Sequence, residues 1–156
     1  MISEFCRAWE KHNNILREYF KTTPQKAYSS YGEIWRLVLL AIINKDDACR
    51  HFNTNAISEI DDGDYQGTIL FLTPEETYQP SQSEYISTYV WYGSCSGCDT
   101  LLGISEYDDG IPNTQQVEDY MQLALHMLQH AKYIYKDVEV EDGNFVATSS
   151  TTTNPI

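Results

Sequence analysis

The sequence predicts an α+β domain, a small antiparallel sheet of about three strands packed against two N-terminal helices and one long C-terminal helix. Three observations predict it. Apolar residues recur at helical spacing up to Asn44, the pattern turns strand-like between Ala56 and Tyr92, and a capped helical pattern resumes after Asn113. A chain of 156 residues, 42% of them apolar, is enough for one domain with its own core. Residues 1–146 read as that domain, and the polar run 147–156, ATSSTTTNPI, reads as a flexible tail.

The elements follow in order. Ser3 is placed to cap a first helix over Ser3–Phe20, in which Ile2, Phe5, Trp9, Leu16 and Phe20 share a face. Pro24 ends it, because the residue before a proline avoids the helical region. Ser30 with Glu33 three residues on is a capping box, and it opens Tyr31–Asn44, which is apolar almost all round and so marks a buried central helix. Ala56–Ile60, Asp64–Thr73 and Glu84–Tyr92 are rich in Ile, Thr, Tyr and Val and read as strands, with Asp62-Gly63 as the first turn. In the third strand Tyr85, Ser87, Tyr89 and Trp91 face one side and Ile86, Thr88, Val90 and Tyr92 the other. Cys98–Glu106 reads as a short helix or an irregular segment. Asn113 or Thr114 caps a last helix over about Gln115–Tyr135, with Val117, Met121, Ala124, Leu125 and Leu128 as its apolar stripe.

Charge narrows the function. The net charge is −13, which argues against direct contact with a nucleic-acid backbone or an anionic membrane. The longest apolar run, Leu37–Ile43, is too short to span a bilayer, and the first residues carry Glu4 and Glu10 with no hydrophobic leader, so a cytoplasmic location is expected. Residues 51–131 contain thirteen acids and no Lys or Arg, whereas residues 1–50 contain eight Lys or Arg and six acids. The carboxylates of the middle segment therefore pair with the chain ends or with a partner. Two readings stand: a solvated acidic face, or a surface at Asp61, Asp62, Asp64, Asp108, Asp109, Glu118 and Asp119 that engages a basic partner. The runs Asp61-Asp62-Asp64 and Asp108-Asp109 lack the spacing and terminal Glu of a calcium-binding EF-hand and suit turns.

Cys95 and Cys98 form a CxxC, and His126 and His130 lie one helical turn apart. Two thiolates on a tight turn and two imidazoles at i, i+4 make the ligand set of a zinc site, provided that the cysteine loop folds over the helix. On a helical wheel both histidines lie opposite the apolar stripe, beside Asp119, Gln122 and Tyr133. Surface histidines with unrelated thiols are the plain alternative. A thioredoxin-like redox pair is a third, weakened by Asp99 next to Cys98 and by the lack of a βαβ pattern. Cys6 and Cys49 read as small buried apolar residues. The sequence has no nucleophile elbow, phosphate loop or dinucleotide fingerprint.

The string YGSCSGCDTL at Tyr92–Leu101, with the flanking segment from Tyr65 to Ile104, resembles uncharacterised small acidic phage and prophage proteins. The resemblance implies an accessory protein at work in a host bacterial cytoplasm and carries over no particular activity. The expected function is the binding of a host or phage macromolecule through the acidic surface; an inhibitor that blocks a basic nucleic-acid-binding cleft is one form of it. The alternative is a metal- or thiol-dependent enzyme, or a structural zinc domain, centred on the CxxC and HxxxH pairs.

Overall fold

Ser3 holds the chain extended and its hydroxyl accepts the Cys6 N–H at 3.2 Å, so the first helix, α1, runs Glu4–Thr22. Thr23 is extended ahead of Pro24 and ends it. The computed structural model describes residues 3–26, 30–64, 66–94, 99–105, 110–134, 138–141 and 144–147. Phe5, Ala8, Leu16 and Phe20 are buried along one face of α1. The second helix, α2, spans Tyr31–Val38, with the Ser30 hydroxyl accepting the Glu33 N–H. It continues as a wider π turn over Leu39–Ile43 that closes Asn44 N–H onto the Leu39 carbonyl at 2.8 Å. Together the two pieces fill the helix expected over Tyr31–Asn44. Ile34, Trp35, Val38, Leu39, Ile42 and Ile43 are fully buried, as an all-round apolar helix requires. The Asn44 amide then exchanges two hydrogen bonds with the Phe52 backbone, at 2.8 and 2.9 Å, and fixes the turn that leads to the sheet.

The sheet has four antiparallel strands in chain order: β1, Ser58–Asp61; β2, Gly67–Pro74; β3, Tyr85–Tyr92; and β4, Lys132–Ile134. Asp62-Gly63 starts the β1–β2 turn, and a Cβ at Gly63 would overlap the Gln66 carbonyl. Phe71, Thr73, Ile86, Thr88 and Val90 face the helices and are buried. Two threonines of that face each hold a helix: Trp35 Nε1 donates to Thr73 Oγ1 at 3.3 Å, and Thr88 Oγ1 donates to the Met127 carbonyl at 2.6 Å. The short helix α3 spans Thr100–Ser105. The long helix α4 spans Thr114–Gln129 and starts in a reciprocal capping box between Asn113 and Gln116. Strands β5, Val138–Glu141, and β6, Asn144–Ala147, pair as a separate ribbon. Among the described residues no helix is long and apolar enough to cross a membrane.

The chain is α+β as expected, with two corrections. The sheet has four strands rather than three, and the last helix stops at Gln129 instead of Tyr135. Ala131 N–H turns back to the Leu128 carbonyl at 3.1 Å, and the chain then runs extended so that Lys132, Tyr133 and Ile134 pair with Ser87, Ile86 and Tyr85. Tertiary packing overrides the helical period here. The Tyr133 ring lies between Phe5 and Phe52, at centroid distances of 5.1 and 6.0 Å, with the Arg50 guanidinium 4.4 Å from its centre. Tyr133 is therefore not on the helix face that carries the histidines. Of the expected tail, Ala147 closes β6, and 148–156 lie outside the described residues.

One buried carboxylate ties the helical and sheet layers. Asp99 is 6% exposed. Its Oδ1 accepts the Tyr31 hydroxyl at 2.7 Å and the Leu102 N–H at 3.0 Å, while its Oδ2 accepts the Gly93 N–H at 2.8 Å. The Tyr31 oxygen in turn accepts the Leu101 N–H at 3.1 Å. Burial, together with the Asp99 carboxylate, pushes the Tyr31 hydroxyl well above the ordinary tyrosine range. Tyr31→Phe is expected to cost about 1–2 kcal/mol in urea denaturation. Asp99→Asn is expected to cost more, about 2–3 kcal/mol, because either amide orientation sets an NH2 group against a donor.

Candidate functional site

The site begins with an unfinished strand pairing. β4 covers β3 only along Tyr85–Ser87, whereas β2 covers it over its full length. Backbone groups alternate sides along a strand. Glu84 uses its carbonyl toward Glu75 on the β2 side, so the odd-numbered residues of β3 turn theirs toward β4. The next residue across from Tyr89 would be His130, but the His130 N–H is still held by the His126 carbonyl at the end of α4. The His130 ring fills in: its Nδ1 lies 3.3 Å from the Tyr89 carbonyl, and the two rings stack at 4.3 Å and 6°. Four residues further on, the Gly93 N–H is taken by Asp99. Between these plugs lies Trp91, whose backbone meets no donor or acceptor from a described residue on this side.

A cleft of about 480 Å³ runs along this edge. Tyr89, Val90 and Trp91 form one wall, Thr100, Gly103 and Ile104 of α3 another, and the α4 face from Asp119 to His130 the third. Leu123 and Met127 make an apolar floor, and Asp119, Gln122 and His126 bring polar groups. The Trp91 indole is 71% exposed, unusual for so large an apolar group. The position of His126 and His130 opposite the apolar stripe puts them on the cleft rather than in the core. A His130 ring that donates from Nδ1 to the Tyr89 carbonyl keeps its Nε2 lone pair free, the arrangement in which histidine serves as acceptor or metal ligand. Among the described residues, no group of three or more His, Cys, Asp or Glu is placed to hold a metal ion. Cys95 and Cys98 lie outside those residues.

The acidic candidates divide. Asp61 and Asp62 build the β1–β2 turn: Asp61 Oδ1 accepts the Tyr92 hydroxyl at 2.6 Å and the Gly63 N–H at 2.9 Å, and Asp62 Oδ1 accepts the Thr68 N–H at 2.7 Å. Asp64 is exposed on the same turn. Glu118 is paired with Arg17 of α1, and Asp119 accepts from Gln115 at 3.0 Å while lining the cleft. Asp108 and Asp109 lie outside the described residues. The hairpin acids thus sit at the Trp91–Tyr92 end of the sheet, with Asp61 fixed there by Tyr92, while the cleft opens on the β4 side of β3. The expectation that middle-segment acids pair with the N-terminal segment holds for Glu118 with Arg17 and for Glu75, 2.9 Å from Arg50.

Sequence reasoning missed three contributors. Tyr89 and Trp91 read only as one face of a strand, and Asp99 only as a neighbour that opposes a thiolate. Alternation along β3 was the available signal for the first two; for Asp99 the local signal was its place as a cap on α3, through the Leu102 N–H, while its contacts to Tyr31 and Gly93 come from the tertiary fold. The other thiols are apart from the cleft. Cys6 is half-buried in α1 and Cys49 is buried after the π turn, where burial, with Glu4 and Asp46 nearby, pushes its thiol up to about 12. Cys49 is therefore a protonated apolar side chain at neutral pH, as its sequence context suggests.

No family model, curated protein sequence or solved structure matches the chain.

The Asp61–Tyr92 contact gives a pH test. The hydrogen bond to Asp61 pushes Tyr92 up to about 12, and the same bond holds Asp61 below the usual carboxylate range. A raised tyrosine stabilises the turn below its unfolded value near 10, and that contribution is lost as pH rises through about 12. A lowered carboxylate contributes above its unfolded value, and its share is lost as pH falls through the folded one. Asp61→Asn is expected to return Tyr92 toward about 10, read as the midpoint of its ring signals in an NMR titration.

Proposed function

We propose that the chain is a phage-type accessory protein that binds a basic macromolecular partner, a protein, and works by occupying that partner's surface. The observation that carries this reading is the Trp91 end of β3. A Trp 71% exposed and the cleft beside it lie at the end of the sheet that also carries the Asp61–Asp64 turn, with Ile60 exposed on β1, in a segment without a single Lys or Arg. Exposed aromatics rimmed by one sign of charge suit protein recognition, with the charge steering association and the rings supplying the central contact. The resemblance of Tyr92–Leu101 to phage and prophage proteins supports action in a bacterial cytoplasm on a host factor. A basic nucleic-acid-binding cleft is the partner surface whose charge this one complements, and inhibition of such a protein is the outcome that follows.

The test reverses charges that do not hold the fold. Asp64→Lys with Asp119→Lys is expected to lower capture of a basic nucleic-acid-binding partner about tenfold at physiological salt, mainly through the association rate. Unchanged capture by a folded double variant contradicts the reading.

A second reading is kept alive by His126 and His130, which face one cleft one helical turn apart with His130 Nε2 free. They supply half of a zinc site if Cys95 and Cys98 complete it. Elemental mass spectrometry of untagged protein tests this. One equivalent of zinc, lost in both Cys95→Ser and His126→Ala, supports the site; metal absent from the parent protein, or retained in both variants, rejects it.

A further inference from the structure

We infer that the partner is bound as an extended strand, which adds to the sheet at Trp91 and continues, along the β3 edge, the position that β4 leaves after Ser87. The inference rests on the binding reading above and specifies its mode. The edge of β3 is closed by β4 at Tyr85 and Ser87, by the His130 ring at the Tyr89 carbonyl, and by Asp99 at the Gly93 N–H. Among the described residues, the backbone N–H and carbonyl of Trp91 and the neighbouring Tyr89 N–H are what remains on this side, and they flank a cleft already walled by α3 and α4. Unpaired edge groups beside a preformed cleft are what strand addition uses: backbone bonds hold the peptide, and alternate side chains select it.

The alternation also sets the sequence of the occupant. A residue paired directly across from Trp91 carries its side chain on the same sheet face as the Trp91 and Tyr89 rings. On that exposed face an arginine meets aromatic rings and the field of a segment that has no cations. The residues between point the other way, toward Val90, Leu123 and Met127, and suit small branched apolar side chains. The titratable groups that line the cleft are Tyr89, Asp119, His126 and His130. A second copy of this chain is a poor occupant, since each carries a net charge of −13. The occupant is therefore an extended segment of a basic protein with basic and β-branched residues in alternation.

The probe is an eight-residue peptide of alternating arginine and valine, blocked at both ends, with two N-methylated forms. Because N–H and side chain of one residue share a register, the arginine amides face β3 and the valine amides face away. Saturable binding is expected for the parent peptide, read by fluorescence anisotropy on the full chain, with slowed exchange of the Trp91 amide. N-methylation of the arginines is expected to weaken binding tenfold or more, and N-methylation of the valines to leave it within about twofold. Equal binding by all three peptides overturns strand addition while leaving an acidic binding surface in place. No binding by the parent peptide also overturns it, and the charge-reversal capture then decides the broader reading on its own.

Discussion

The Asp99 carboxylate takes three hydrogen bonds from donors in three elements: the Tyr31 hydroxyl at the start of α2, the Gly93 N–H just past β3, and the Leu102 N–H in α3. A buried carboxylate is costly unless its acceptor capacity is used, and here both oxygens are engaged. The arrangement sets where β3 ends and where α3 begins, and so how far α3 stands from the sheet edge. The cleft exists because that spacing is held open at one end by Asp99 and closed at the other by His130 on Tyr89. Structure and candidate function meet in the same few residues.

Charge is organised around this frame. The basic residues of the first third serve the fold. Arg17 reaches Glu118 on α4, and Arg50 holds Glu75, donates to the Ser83 carbonyl at 2.9 Å and lies over Tyr133. An Arg in such a setting works through its planar fork and its ring contact together, which a lysine does not reproduce. Of the acids left over, Asp61, Asp62 and Asp64 gather at the hairpin and Asp119 lines the cleft. Asp61 and Asp62 have structural tasks of their own, so a turn-forming role and a contribution to an acidic field coexist in the same side chains.

Much of the fold was legible because its signals are local. Ser3, Ser30 and Asn113 announce helix starts through side-chain bonds to the N–H three residues on, and Asp62-Gly63 announces a hairpin. The strand β4 was not legible, since Tyr133 and Ile134 continue the helical apolar period and no Gly or Pro breaks it. Only the pocket made by Phe5, Phe52 and Arg50 pulls Tyr133 out of the helix. The π turn at Leu39–Ile43 is equally silent, because an all-apolar run fits either winding. The wheel placed His126 and His130 off the apolar stripe, but what faces them depends on β3, a contact some forty residues away. Asp99 precedes α3 and caps it through the Leu102 N–H, a local bond, but its role as a tie between layers was invisible because its other partners lie sixty-eight and six residues before it.

Among the described residues, the edge of β3 stands open at Trp91, between the His130 ring on the Tyr89 carbonyl and the Asp99 carboxylate on the Gly93 N–H. Amide hydrogen exchange of the free chain, followed residue by residue by NMR, tests it directly. Val90 points its N–H toward β2 and Trp91 points its own into the cleft. The Trp91 amide is therefore expected to exchange roughly a hundredfold faster than that of Val90. Equal protection of the two would mean that the edge is already filled, and the account of the cleft as a strand-binding site would fail.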